Sequence, residues 1–254
     1  MAILRKPLQG VSNVVRFNWP FYLLAAGLAV AGGLVALLGP VAIRGYASWG
    51  LLLLLLPVVA SLAASAWVYD FSNLYQLNWL PTFPTPQATL LSINAGFDEI
   101  SALLAQQYTP AQLIVVDFYN SSQHTEASIE RARRAYPPYP GTRLIDTQQP
   151  LPLSPQSVDY TFAFLAAHEI RDATERATFF QNLRRVTKPN GCIIVTEHLR
   201  DPANFLAYTI GFLHFHSRCT WLRTFAQANL HLQQEIRITP FITSFILSPH
   251  GDAT

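Results

Sequence analysis

Three strand-like runs in this chain end in side chains suited to a polar, sugar-bearing ligand. ATLLSINA gives way to Asn94, Ala95, Gly96, Phe97 and Asp98, AQLIVVDF closes on Asp117, and TRLIDT ends in Asp146 and Thr147. A glycine in the first turn lets backbone approach a ligand, and the helix that follows offers free amides. An acid closing the second strand accepts hydrogen bonds from ribose hydroxyls. Asp146, closing the third, is a candidate for an adenine amine. Together these residues suggest a nucleoside-containing ligand, although each alone is commoner as a turn, a cap or a solvated acid.

A second group of residues can move protons. His168 and Glu169 follow the fourth strand-like run, SVDYTFAF, and Glu197 and His198 close the fifth, GCIIVTEH. Arg200, Asp201, Tyr208, His214 and His216 come soon after. Titratable groups at this density around two strand ends mark an acceptor pocket, with His168, Glu197, His198 and His214 as candidate acid–base residues. For any one histidine, a structural hydrogen bond is the plainer role. His214 and His216, with His198 and Glu197, are also metal-ligand types, but helical spacing sends the first two to different faces, and no metal site is expected. Arg171 and Asp172 read as a salt-linked helix start. Cys192 and Cys219 form neither a disulfide framework nor a metal motif, which fits a reducing compartment.

The elements that must position these groups alternate in type. Helix-like stretches DEISALLAQQY, TEASIERARRAY and ERATFFQNLRRV separate the apolar runs, so an α/β domain with a mostly parallel sheet covered on both faces is expected over residues 87–254. LQQEIRIT and FITSFILS are too close for a crossover helix and should pair as an antiparallel hairpin at a sheet edge. The formal charge is only +2, Arg131, Arg133 and Arg134 read as a solvated helix face, and nothing recommends nucleic acid as a partner.

Ahead of this domain lies residues 1–69, with two charge-free blocks at about 21–39 and 46–68, each long enough to cross a hydrocarbon core of roughly 30 Å. A transmembrane helical hairpin is expected, followed by a linker over 70–86 in which PTFPTP opposes regular structure. A cleaved signal peptide is the competing account of the first block, but its charged leader is long and a second span follows at once. Arg5, Lys6 and Arg16 precede the first span and Arg44 lies in the expected turn, so the positive-inside bias puts the N-terminus and the large domain in the cytoplasm. Trp19, Tyr22, Tyr46, Trp49, Trp67 and Tyr69 fall near the span ends, where amphipathic rings favour the headgroups.

Over residues 69–248 the chain resembles the class I S-adenosylmethionine-dependent methyltransferases, in the branch typed by small-molecule, quinone-biosynthesis enzymes. The NAGFDE turn, Asp117 closing IVVDFY, LIDTQQPLPLSPQSVDYTFAFLAAHEI and FFQNLRRVTKPNGCIIVTEH carry the resemblance. It implies a Rossmann-like, seven-stranded, mostly parallel sheet with an antiparallel terminal hairpin. It also implies S-adenosylmethionine as cofactor, held at Asn94, Ala95, Gly96 and Asp98, with Asp117 on the ribose, Asp146 and Thr147 on the adenine, and Leu165 under the methionine part. Asp98 would approach the methionine amino group, or Glu99 would cap the helix instead. The family's first loop carries an acid and three alternating glycines, whereas here Ser92, Asn94, Gly96 and Asp98 stand in their places, and only the middle glycine is kept. Leucine carboxyl methyltransferase-like sequences have a similar turn. The function expected is a membrane-anchored methyltransferase for a small lipophilic acceptor. The alternatives are a catalytically silent, membrane-tethered scaffold of the same fold and a dinucleotide-dependent oxidoreductase, which the single glycine and the antiparallel end oppose.

Overall fold

The structure is a computed structural model that describes residues 6–80, 87–108, 112–122 and 127–250. The PTFPTP part of the expected linker lies outside the described residues. So does the start of the helix expected from Thr125.

The N-terminal segment forms a short helix α1 (Gln9–Phe17) and two long ones, α2 (Trp19–Leu38) and α3 (Val41–Ala66), which pack against each other. Pro20 sits in the first turn of α2, where its missing N–H has no partner to lose. Both long helices are apolar enough to cross a bilayer by length and composition, and no residue of α2 is buried in the protein. The turn between them is shorter than the sequence suggested. It consists of Gly39 and Pro40 alone, and Arg44, expected in the loop, lies inside α3 with its Nε donating to Gly39 O at 2.8 Å. Proline preset at the start of a helix makes so tight a reversal possible. After α3 the backbone loosens into a π-helical turn, Trp67–Phe71, and a 3₁₀ turn, Leu74–Gln76.

The remaining chain builds one sheet of seven strands in the order β3-β2-β1-β4-β5-β7-β6. These are β1 (Thr89–Asn94), β2 (Gln112–Asp117), β3 (Arg143–Leu144), β4 (Val158–Phe164), β5 (Thr187–His198), β6 (His231–Thr239) and β7 (Ile242–Ser248). β1 to β5 pair in parallel, and β7 runs antiparallel to both β5 and β6, as the alternation and the short final connection predict. The helices are α4 (Ser101–Gln107), α5 (Ala127–Ala135), α6 (Ala173–Val186), α7 (Pro202–Tyr208) and α8 (Arg218–Gln227). One core contains Phe179 and Phe180 of α6 and Trp221 and Phe225 of α8. The other contains Ile100 and Leu104 together with Val68, Leu74 and Leu77, so the chain that leaves α3 is itself part of the domain core. The KPNG turn is a bulge inside β5: Val158 faces Thr187 but Tyr160 already faces Cys192, and a Cβ on Gly191 would lie 2.4 Å from Asp159 O.

Strand order reverses between β1 and β4, where β1 pairs with β2 on one side and with β4 on the other. The crevice beyond the carboxyl ends of β1, β4 and β5 is therefore where a ligand should collect.

Candidate active site

Asn94 ends β1 buried, with Oδ1 accepting from Gly96 N at 3.2 Å and Nδ2 without a partner among the described residues. Gly96 has φ of +96°, a conformation that disfavours any side chain, and a Cβ there would lie 2.9 Å from the Tyr119 ring. Asp98 and Glu99 divide their tasks the other way round from the leading expectation. Asp98 Oδ1 caps α4, accepting from Ile100 N at 3.2 Å and Ser101 N at 3.0 Å, while Glu99 faces the crevice and accepts from Tyr75 OH at 2.5 Å. The two positions differ by one residue, and only the helix register decides which reaches the amides. Asp98 Oδ2 stays buried and unpartnered.

Asp117 is buried at the end of β2, with Oδ1 accepting from Tyr119 N at 2.8 Å and Oδ2 paired with Arg133 at 2.5 Å. Arg133 also lies over the Tyr119 ring, 4.5 Å from its centre. The solvated arginine face expected on α5 is thus mostly engaged: Arg131 donates to Phe17 O at 2.5 Å, and only Arg134, paired with Glu130, faces water. Asp146 is exposed and accepts from Gln148 N, while Thr147 is buried and bonds Glu175. Leu165 adopts a φ of +49°, costly for a leucine, at the carboxyl end of β4.

Three of the four candidate acid–base residues, His168, Glu197 and His214, come together around Glu169. His168 Nδ1 lies 2.6 Å from Oε2 of the fully buried Glu197, whose Oε1 accepts the His168 amide at 3.2 Å. On its other side, His168 Nε2 lies 3.4 Å from Glu169 Oε1, and His214 Nε2 lies 3.1 Å from that same oxygen. Burial alone would lower the His168 pKa, but the two carboxylates overcome it and raise it to about 10. Glu169, against its own burial, is held well below the usual carboxylate range by hydrogen bonds from His168 and His214. Arg171 does not salt-link the helix start. Its Nη1 donates to the carbonyls of His168 and His214, and Asp172 caps α6 alone through Glu175 N at 2.8 Å.

His198 is held separately. Asn204 donates its Nδ2 to Asp201 Oδ1 and Phe241 O, both at 3.1 Å, which turns its Oδ1 toward His198 Nδ1, also at 3.1 Å. An acceptor there keeps the proton on Nδ1, so Nε2 is bare and accepts from Tyr69 OH at 2.8 Å. Burial pushes the His198 pKa down to about 4, keeping the ring neutral. His216 points away from this group, as the spacing predicts: it meets Arg176 at 3.1 Å and Trp221 edge-on, and burial followed by the Arg176 charge pushes it to about 3.

A cavity of about 250 Å³ opens over these groups, with His168, Glu169 and His198 on one side and Phe17, Tyr69 and Tyr208 on the other. A second, of about 420 Å³, is lined by Tyr119, Arg133, Asp146 and Thr147. The β1 turn, with Tyr119 packed on Gly96, lies between them.

The sequence over this crevice is similar to a known family: residues 91–195 match the family model described as a methyltransferase domain. A SAM dependent methyltransferase from Aquifex aeolicus shares 14% identity over 64% of this chain and 82% of its own, with a TM-score of 0.46. A SAM-dependent methyltransferase from Methanosarcina mazei shares 14% over 66% and 98%, at 0.47. LepI in complex with SAM shares 17% over 68% of this chain but only 45% of its own, at 0.48. At these identities and scores the solved structures carry no argument about function. No curated protein matches the sequence.

The crevice suits S-adenosylmethionine in its donor set. The unpartnered Asn94 Nδ2 and Asp98 Oδ2 are polar groups left for a ligand, and Asp117 is a buried acid at the end of β2. For one ligand to reach both cavities, the Tyr119 ring must leave Gly96 and Arg133 must release Asp117 Oδ2. Tyr69, Phe17 and Asn204 join the site without having been singled out as its members. Tyr69 sits at the end of a span, where an aromatic ring reads as an interface anchor.

Proposed function

We propose that the chain is a membrane-anchored, S-adenosylmethionine-dependent methyltransferase acting on a small lipophilic acceptor: a quinone, an isoprenoid phenol or another lipid-like molecule. One observation carries this reading. The cavity that holds the acid–base groups is walled jointly by the methyltransferase domain and by the segment bearing the two apolar helices, with Tyr69 entering from the end of the second. An acceptor dissolved in a bilayer would reach such a cavity along the anchor. The stretch 205–213 supports the same access, since Phe205, Leu206, Ile210 and Leu213 are exposed beside α3 rather than packed in a core.

When bound, the cofactor supplies an electrophilic methyl group. The chain's own residues do the rest: Asn94, Asp98 and Asp117 bind, Leu165 and Phe215 exclude water, and Tyr69 with His198 receives the acceptor's proton. The bare Nε2 of His198 takes the phenolic proton of Tyr69 as the Tyr69 oxygen draws one from the acceptor. Detergent-solubilised protein should bind labelled S-adenosylmethionine saturably, and Asp117→Ala should weaken that binding at least about tenfold, the loss of one charged hydrogen-bonding group. Absence of binding at millimolar cofactor would sink the enzyme reading.

The packing of Tyr119 on Gly96 and of Arg133 on Asp117 favours a second reading, a catalytically silent membrane-tethered module. In that case Asp117→Ala leaves partner binding unchanged and there is no cofactor binding to lose.

A further inference from the structure

We propose that His168, Glu169 and His214 form a divalent transition-metal site, of the zinc type, whose open side faces the cavity beside β4 and β5. The ligating atoms are His168 Nε2, Glu169 Oε1 and His214 Nε2, and they lie within 4.8 Å of one another. Glu169 Oε1 stands 3.4 Å from the first nitrogen and 3.1 Å from the second. Ligands bound at about 2.1 Å and subtending tetrahedral or right angles lie roughly 3.0–3.4 Å apart, so both separations already match a shared ion.

The surroundings are organised as a metal site requires. Glu197, fully buried, engages His168 Nδ1 at 2.6 Å, which fixes the ring and directs Nε2 at Glu169 and His214. This carboxylate–histidine pair is the outer-shell arrangement that orients imidazole ligands. Arg171 donates to the backbone carbonyls of both histidines and ties the 3₁₀ turn Ala167–Glu169 after β4 to the 3₁₀ helix Thr209–His214. Two carboxylates and two neutral imidazoles balance a divalent cation without residual charge, which is what a buried site needs. The donor set of two imidazoles and one carboxylate suits zinc, with manganese and iron(II) as weaker competitors.

Three protein ligands leave a position free. His168 and Glu169 line the cavity, so that position takes an oxygen ligand arriving there. Under the methyltransferase reading that ligand is a hydroxyl of the acceptor, and the ion would lower the hydroxyl's pKa. Metal binding itself does not rest on that reading.

The test uses full-length protein in detergent, stripped with a chelator and titrated with Zn²⁺ against a chromogenic competitor, with Co²⁺ as a spectroscopic replacement. One equivalent should bind, and Co²⁺ should give a visible ligand-field spectrum. His214→Ala, at a half-buried position that tolerates truncation, and Glu169→Gln should each lower affinity at least about 100-fold and abolish the spectrum, and Glu197→Gln should lower it about 10- to 100-fold. His231→Ala, on the exposed edge strand, should change nothing. Lack of stoichiometric binding, or binding unchanged in both His214→Ala and Glu169→Gln, overturns the site. Cofactor binding measured on the same samples separates the two claims: cofactor without metal sinks this site alone, and metal without cofactor sinks the methyltransferase reading alone.

Discussion

Tyr69 and His198 meet at 2.8 Å although 129 residues separate them, and the bond has a direction set by Asn204. Because Nε2 accepts, Tyr69→Phe removes the proton relay and keeps the ring edge-on to the imidazole. Methyl transfer is expected to fall about 10²- to 10⁴-fold with cofactor affinity unchanged, measured as single-turnover rate against equilibrium binding. A parallel loss of cofactor affinity would mean that Tyr69 only packs. His198 makes a second prediction through pH. Its pKa is pushed by burial from 6.5 to about 4 in the folded protein, so between those values the unfolded chain binds the extra proton and the folded one does not. The stability His198 contributes is therefore complete above about pH 6.5 and falls as pH drops toward 4. Nitrogen-15 NMR of the labelled imidazole should show a neutral, Nδ1-protonated ring from pH 8 down to 5. A midpoint near 6.5 would place His198 in water rather than in this bond.

At the scale of elements, α1 is held by a contact that the sequence does not advertise. Asp70, in the π-helical turn, accepts from Gly10 N at 2.7 Å and Val11 N at 2.8 Å, capping a helix 60 residues earlier. Gly10 permits it, since a Cβ there would fall 2.3 Å from Tyr69 Cβ. Asp70→Ala should cost about 1 kcal/mol of α1 docking and speed amide exchange across Gln9–Phe17, with protection of β1, β4 and β5 unchanged. Faster exchange throughout would instead make Asp70 part of the global fold. The parallel sheet was legible because its apolar runs and helices alternate, and the terminal hairpin because Pro240 leaves no room for a crossover. The strand-end residues Asn94, Asp117, Glu197 and His198 followed from those strands. What was not legible depends on contacts across the chain: α1 looked like a charged leader, and Arg133 like a solvated residue rather than the partner of Asp117. Local pattern sets which face a residue takes, whereas these partners are set by how α1 and α5 dock.

For the molecule as a whole, the segment that bears the two apolar helices shares one cavity with the α/β domain through α1 and Tyr69, so the side of the membrane on which that domain sits governs the proposed chemistry. Arg16 and Lys6 precede α2 while Arg44 stands alone past the Gly39–Pro40 reversal, and in the proposed anchored protein this bias would put the reversal on the far side and both chain ends in the cytoplasm. Leaving Arg44 near the bilayer centre would cost on the order of 3 kcal/mol on insertion scales, whereas at the start of α3 it can reach the headgroups and still donate to Gly39 O. Ala42 is exposed beside that reversal, and Cys219 is exposed at the start of α8 on the opposite side of the proposed membrane. Ala42→Cys should therefore react with a membrane-impermeant thiol reagent added outside intact cells, while Cys219 stays protected until lysis. Labelling of Cys219 in intact cells would invert the molecule, separate the crevice from a cytosolic pool of S-adenosylmethionine, and remove the reason for joining this domain to this anchor.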